Sequence, residues 1–193
     1  MPDIWYSTVG AAIKLTQGDL IFNCPLIGWK AEPPQLNGTH ETEILKQSTD
    51  AFSADVVVMT QACDLEHEKV GNVVLCAHYS LATYRNHWEE EMTAKQQTAT
   101  PKAWKGHCDD IRDGLVWNLS ILNAEPEGAV TTEHRIVDFH DVFTVPRVFL
   151  EMLLAARNAP RLRLLPPYRE HLSQAFARFF MRVGLPVPVT SAW

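Results

Sequence analysis

Residues 56–60 have the sequence VVVMT and residues 73–78 the sequence VVLCAH, and these two apolar stretches decide the fold. Both are rich in β-branched and aliphatic residues, which predicts β-strands. The first stretch is apolar on both faces, as expected of a strand in the centre of a sheet or barrel. Only a polar loop separates the two stretches, so we predict that they pair as antiparallel neighbours.

Three further strands are predicted on either side of this pair. Residues 20–25 form a strand that we expect Pro25 to end, and residues 116–122 and 135–143 supply the last two strands. Residues 28–54 are rich in proline, glycine, asparagine and polar side chains, which predicts a loop. A loop of this length is uncommon without a function, so a binding role is one interpretation of it.

Helices are predicted in two regions that flank the last strands. Residues 81–113 contain good helix formers and are interpreted as a helical insertion. Residues 146–193 are interpreted as a C-terminal helical pair, broken at Pro160 and carrying an apolar stripe over residues 168–183. The chain therefore divides into a β-rich domain over residues 1–145 and a helical extension over residues 146–193 that packs on it.

Length and composition restrict the class of protein. The chain has 193 residues, of which 46% are hydrophobic and 21% charged, and this balance excludes global disorder. Apolar runs are too short to cross a membrane, and residues 1–10 lack the basic and apolar segments of an export signal. The four cysteines follow no secreted spacing. We therefore expect a cytoplasmic protein with reduced thiols.

The net charge of −6 is distributed unevenly along the chain. From Arg147 onward there are seven arginines against two glutamates, a net charge of +5, which leaves −11 for the preceding residues. One interpretation is a surface that binds nucleic acid or an acidic partner. Its candidate binding residues are Arg169, Arg178 and Arg182. The alternative is a basic tail that docks on the acidic body of its own chain.

Two segments resemble the MazF/PemK-like toxins, small SH3-like β-barrels that cut RNA. Residues 18–22, GDLIF, resemble the opening Gly-Asp strand of that family. Residues 56–60 and 73–77 resemble its paired apolar strands. The likeness covers about a third of the chain by our estimate, and implies an α+β fold: a small antiparallel SH3-like β-barrel with the helical insertion and the C-terminal helical pair. The C-terminal part resembles uncharacterised bacterial proteins.

The resemblance also implies where RNA chemistry would take place. The family carries an Arg-Pro before its second strand, and that arginine stabilises charge during cleavage, whereas this chain has Ala54-Asp55 there. The family's hydroxyl residue after the third strand falls on Tyr79 or Ser80. The candidate catalytic residues of a metal-independent endoribonuclease are Thr60, His78 and Ser80.

A polar cluster directly follows the 56–60 strand, and it has several interpretations. Its candidate binding residues are Gln61, Cys63, Asp64 and Glu66. A second interpretation is a zinc cofactor, because two thiols and two imidazoles suit tetrahedral zinc. The candidate ligands are Cys63, His67, Cys76 and His78. A third interpretation is a nucleophilic cysteine with a histidine base. In the fourth, the polar residues only cap and turn the loop, and the cysteines are buried.

The sequence therefore favours a degenerate MazF-like binding or regulatory module of a bacterial toxin–antitoxin, defence or stress system. The missing arginine favours binding over cleavage, and the partner is another protein or RNA. An active endoribonuclease and a zinc-binding protein are the alternatives. We expect no membrane association. Zinc is the one cofactor that the sequence leaves open. A homodimer is one of the oligomeric states that it allows.

Overall fold

The fold was examined in a computed structural model, which describes residues 4–32 and 40–181. Helices and strands alternate irregularly, and the first half of the chain contains most of the long strands. In chain order the elements are β1 (Tyr6–Val9), β2 (Leu20–Trp29), α1 (Glu41–Ser48), β3 (Thr49–Val58), α2 (Ala62–Glu66), β4 (Asn72–Ser80), α3 (Leu81–Ala94), α4 (Pro101–Arg112), β5 (Leu119–Leu122), β6 (Arg135–Pro146), α5 (Arg147–Arg157), β7 (Arg161–Leu164) and α6 (Tyr168–Phe180).

Five strands form one antiparallel sheet in the order β2-β3-β4-β6-β5. The predicted central pair is confirmed, because Val57 of β3 lies opposite Cys76 of β4 in an antiparallel register. β2 and β5 lie at the two edges, so the hydrogen-bond ladder does not close into a barrel. The α+β class is confirmed at this level, with mixed helices and antiparallel strands.

The central strand is apolar on both faces because both faces of the sheet are covered. Val56 and Val58 belong to a core layer that includes Leu150 and Leu154 of α5. Val57 lies on the opposite face, in a layer that includes Leu172 of α6 and the strands β1 and β7. Side chains alternate between the faces of a strand, so four consecutive apolar residues serve two cores. The helices α5 and α6 therefore pack on opposite faces.

A third apolar layer joins the helical region between β4 and β5 to the sheet. Ile111 of α4, Leu119 of β5 and Ile136 of β6 are buried together. Helices α3 and α4 lie within residues 81–113, where the sequence indicates a helical insertion. α4 begins at Pro101, which suits the first helical position, and the Thr100 hydroxyl accepts a hydrogen bond from the N–H of Ala103.

The prediction that residues 28–54 form a loop is wrong for most of that range. β2 continues to Trp29, α1 occupies residues 41–48, and β3 begins at Thr49. Pro25 does not end β2, because β2 is an edge strand, where the missing N–H of a proline can be tolerated. A register irregularity between Ile21 and Cys24 precedes it.

The C-terminal region contains a strand that the sequence pattern does not predict. β7 follows Pro160 and pairs antiparallel with β1, with Tyr6 opposite Leu164. The two strands form a separate small sheet beside the start of β2, where Asp19 and Arg163 form an isolated bridge. The described helices include none that is long and apolar enough to cross a membrane.

Candidate functional site

The polar cluster after β3 lies on a single helical turn at the surface. Thr60 accepts a hydrogen bond at Oγ1 from the N–H of Val74, at 2.7 Å, which ties the end of β3 to β4. The cluster then forms α2, whose Leu65 is buried in the core. Gln61, Cys63, Glu66 and His67 are exposed, and Asp64 is half-buried. These residues form the turn between β3 and β4, but the Gln61 side chain makes no capping hydrogen bond, and the expectation that both cysteines are buried is wrong for Cys63, which is exposed.

The four candidate zinc ligands do not form a metal site. Cys63 and His67 are exposed on α2, whereas Cys76 and His78 are buried in β4. Burial, followed by the charges of Asp138 and Asp141, raises the pKa of the Cys76 thiol to about 12. Zinc binds thiolate, so such a thiol is a poor ligand. Among the described residues, no three His, Cys, Asp or Glu side chains are arranged to hold a metal ion.

The candidate catalytic residues each have a structural role that leaves little for catalysis. The Ser80 hydroxyl caps α3 by accepting the N–H of Thr83 at 3.0 Å. His78 is only 2% exposed, and burial together with the positive charge of Arg135 lowers its pKa to about 3. A general base needs a pKa near the working pH and access to the substrate proton. In the structure, Ser80 therefore caps α3, Thr60 links β3 to β4, and His78 is buried and neutral.

A buried arginine lies beside His78, and the sequence gives no local signal for it. Nε of Arg135 donates to Nδ1 of His78 at 3.0 Å, and its guanidinium forms an ion pair with Asp55. Asp55 also accepts the N–H of Asn23 at 2.8 Å, and Arg135 lies over the ring of Phe22. The charges in this structure are thus paired internally and not presented to a phosphate.

The β-strand register explains how these three residues meet. The β3–β4 register places Asp55 opposite His78, and Arg135 lies opposite Ser80 in the β4–β6 ladder. Asp55, His78 and Arg135 all face the side of the sheet that carries Val57 and Val137. The cluster is therefore a polar group within a core layer.

Most of the described tail arginines bind the body of their own chain. Arg161 and Arg163 both contact the carboxylate of Asp19, which is fully buried. Arg157 donates to the backbone carbonyl groups of Phe22 and Asn23. Ion pairs with glutamates engage Arg147 and Arg169. The described part of the basic tail thus supports internal docking, the alternative to a nucleic-acid surface.

Arg178 differs from these arginines, and Arg182 lies outside the described residues. The Arg178 guanidinium is 4.9 Å from the ring centroid of Trp117, a cation–π contact. Within the described residues it makes no hydrogen bond or ion pair. Of the two predicted arginines that the structure describes, Arg169 is paired with its neighbour Glu170, whereas Arg178 lines an open cavity.

That cavity is a groove of about 700 Å³ between the helical insertion and the C-terminal helix. One wall is the end of α4 with residues 113–114, and the other is the face of α6 that carries Leu172 and Arg178. Residues 119–123, which contain β5, form the floor. We call this cavity the β5 groove, and its remaining lining residues are Trp5 and His134.

The walls of the β5 groove combine aromatic, apolar and charged groups. Trp5 stacks on Tyr168 with ring centroids 3.9 Å apart. On the α4 wall, Arg112 is bound to Asp109 and Asp113, so these charges compensate each other. Mixed apolar and polar linings of this volume are typical of ligand sites.

The floor of the groove is an open strand edge. The N–H of Phe139 donates to the carbonyl of Asn118 at 2.8 Å, which fixes the phase of the β5–β6 ladder. Hydrogen-bonded and non-hydrogen-bonded pairs alternate in antiparallel sheets, so the N–H and C=O of Ile121 face away from β6. No partner for them occurs among the described residues. The carbonyl of Asn123 is occupied by the Tyr6 hydroxyl at 2.7 Å.

Sequence reasoning predicts a strand over residues 116–122 but not this groove. Its parts come from segments near residues 5, 110, 120 and 170, which no local spacing connects. The one available signal is Arg178, which is among the predicted binding residues. Two comparisons add nothing further, since no protein-family model and no curated protein matches this chain.

Proposed function

We propose that this chain is a binding module without nuclease activity, which recognises an extended segment of a partner protein in the β5 groove. The segment adds a strand to the open edge of β5, between α4 and α6. In this proposal the five-stranded sheet is an opened SH3-like barrel. The chain shares the strands of the MazF/PemK toxins but not their RNA cleavage. The module belongs to a bacterial toxin–antitoxin, defence or stress system.

The observation that carries this proposal is the pair of backbone groups of Ile121 that face the groove. An unpaired strand edge is a template for another strand, and proteins commonly protect or cover such edges. Here α4 and α6 stand on either side of the edge without covering it. Peptide recognition by strand addition takes its affinity from such main-chain groups and its specificity from the flanking side-chain positions.

Charge favours a protein over RNA as the occupant. The residues before Arg147 carry a net charge of −11, and the described tail arginines other than Arg178 are already engaged. Binding to nucleic acid depends chiefly on cations that neutralise phosphates. On the α4 wall, Arg112 is already paired with Asp109 and Asp113, so this wall offers no unpaired cation to a phosphate backbone.

The test is selection of peptides from a random library displayed on phage, using the full chain as bait. We expect selected peptides to lose binding to Ile121→Pro, because proline removes the N–H that faces the groove. The matched control is Ile121→Ala, which loses more of the side chain than the proline variant does but keeps the N–H. It should retain binding. Circular dichroism and unfolding midpoints establish that both variants are folded.

Four other outcomes would contradict the proposal. Failure to select any peptide would remove the evidence for a peptide groove. A dimer of the chain alone, converted to monomer by Ile121→Pro in sedimentation, would identify a second copy as the occupant. Binding of single-stranded RNA that Ile121→Pro leaves unchanged would place recognition elsewhere. Cleavage of RNA that is lost in Ser80→Ala would overturn the statement that the module is not a nuclease.

A further inference from the structure

We infer that the segment bound in the β5 groove carries an acidic side chain that pairs with Arg178, at the position opposite Ser120. This inference rests on the proposed function and specifies the partner: an extended peptide with Asp or Glu at one defined position.

Arg178 is a cation that lacks an acidic partner within the described residues. Its ring contact with Trp117 supports one face of the guanidinium, which leaves the planar N–H edges as donors. Arg147, Arg161, Arg163 and Arg169, by contrast, all reach a carboxylate. A guanidinium in a partly apolar groove attracts a carboxylate, because bidentate pairing satisfies two of its donors.

The two faces of β5 determine which peptide side chain meets Arg178. Leu119 and Ile121 point to the α4 side, where they pack with Ile111. Leu122 packs in the layer that contains Leu172 of α6, and Ser120 shares its face by alternation. Side chains directly opposite in a ladder lie on the same face, so the peptide residue opposite Ser120 points to the α6 wall.

The position of Arg178 along the groove agrees with this assignment. Its Nη1 is 3.8 Å from where a Cβ would lie on Gly114, and Trp117 is two residues before β5. Arg178 is thus near the Leu119 end of the strand rather than the Asn123 end. On the opposite wall Arg112 already holds Asp109 and Asp113, so it does not compete for the peptide carboxylate.

The experiment uses the peptides selected with the full chain. We expect Asp or Glu to be enriched at one position, and the amide version of that residue to bind about tenfold more weakly. Arg178→Gln should weaken the acidic peptide by a similar factor and leave the amide peptide unchanged. Arg178→Glu should select Lys or Arg at the same position. Arg85→Gln is the matched control, because it removes an exposed arginine of α3 that lies outside the groove lining, and it should leave the acidic preference intact.

Each contrary outcome has a distinct meaning. Peptides that require the N–H of Ile121 but show no acidic preference would overturn this inference and leave the proposed function standing. Loss of binding on amidation of the peptide C-terminus, with no effect of the internal acid, would show that Arg178 holds a terminal carboxylate and also overturn it. No selectable peptide would refute the proposed function itself.

Discussion

The carboxylate of Asp19 accepts a hydrogen bond from Nε of Arg161 at 2.8 Å, and both side chains are buried. Arg163 contacts the same carboxylate, and the N–H of Thr16 donates to it. Asp19 precedes β2 and the two arginines lie in β7, so this one group joins the start of β2 to β7. The aspartate of the Gly-Asp motif therefore has a structural role that accounts for two cations of the basic tail.

Substitution Asp19→Asn should cost about 3–5 kcal/mol of unfolding free energy, because it leaves two arginines without their anion inside the protein. Urea unfolding followed by tryptophan fluorescence measures this loss. The control is Glu151→Gln, which removes an exposed pair with Arg147 and should cost under about 1 kcal/mol. Equal effects of the two substitutions would show that the Asp19 cluster contributes nothing beyond a surface pair.

Gly18, the other residue of the motif, should not tolerate a side chain. Its φ is +82°, and an added Cβ would lie 3.0 Å from Cβ of Leu164 and 3.2 Å from Cγ of Arg169. We expect Gly18→Ala to cost about 2 kcal/mol, from backbone strain and crowding against β7. Thermal unfolding is the measurement.

A second glycine provides the control for that substitution. Gly106 lies in α4 with nothing within 4 Å of an added Cβ, so Gly106→Ala should stabilise the protein by up to about 1 kcal/mol. A destabilised Gly106→Ala would mean that alanine is harmful for a reason other than the conformation and crowding at Gly18.

The sequence predicts the central strand pair because its signal is local. Residues 56–58 are apolar in succession, and the partner stretch around Cys76 follows after a short connection. The residue pattern and the short connection therefore both predict the same strand pair. The sequence does not predict β7, since its residues RLRL between two prolines acquire a partner only when β1, far away in the chain, lies beside them. Residues 41–48 are polar enough to resemble a loop, yet they form α1.

For the candidate site, too, the sequence predicts local features but not the contacts between distant segments. The tail is correctly identified as basic, but sequence alone does not distinguish Arg161, which is buried against Asp19, from Arg178, which lines a groove. The same holds for the cysteines and histidines near β4. The spacing of Cys76 and His78 in β4 suggests a shared site, whereas their burial depends on the packing of α6 and β7 against that face of the sheet.

The cysteines should differ in their reactivity towards a thiol reagent. Cys63 is exposed, whereas Cys24 and Cys76 are buried, and burial raises the pKa of both buried thiols. In the native protein we expect fast labelling of Cys63 and protection of Cys24 and Cys76 until the chain unfolds, because the thiolate is the reactive form. Mass spectrometry of quenched time points measures each site.

Two controls sharpen the labelling experiment. Cys63→Ser should abolish the fast phase and leave stability unchanged. Addition of a chelator should not alter the rate at Cys63, since its side chain lies apart from the buried Cys76. Acceleration at Cys63 by the chelator would revive the zinc interpretation.

The buried His78 should make the protein sensitive to mild acid. Burial and Arg135 lower its pKa from 6.5 to about 3, so the native state excludes a proton that the unfolded chain binds below its ordinary pKa. The contribution of His78 to the unfolding free energy is therefore fully present above about pH 6.5, and it is lost as the pH decreases towards 3. Between pH 7 and pH 5 this histidine should account for a loss of about 2 kcal/mol.

The measurement is the difference in urea-unfolding free energy between wild type and His78→Gln at each pH, because the contributions of the other titrating groups cancel in that difference. The wild type should lose about 2 kcal/mol more than His78→Gln between pH 7 and pH 5. Gln61→Ala, which alters an exposed side chain that carries no titratable group, is the control and should follow the wild type. Parallel pH profiles for wild type and His78→Gln would mean that His78 takes up its proton in the folded state, against the burial and the Arg135 contact that the structure gives it.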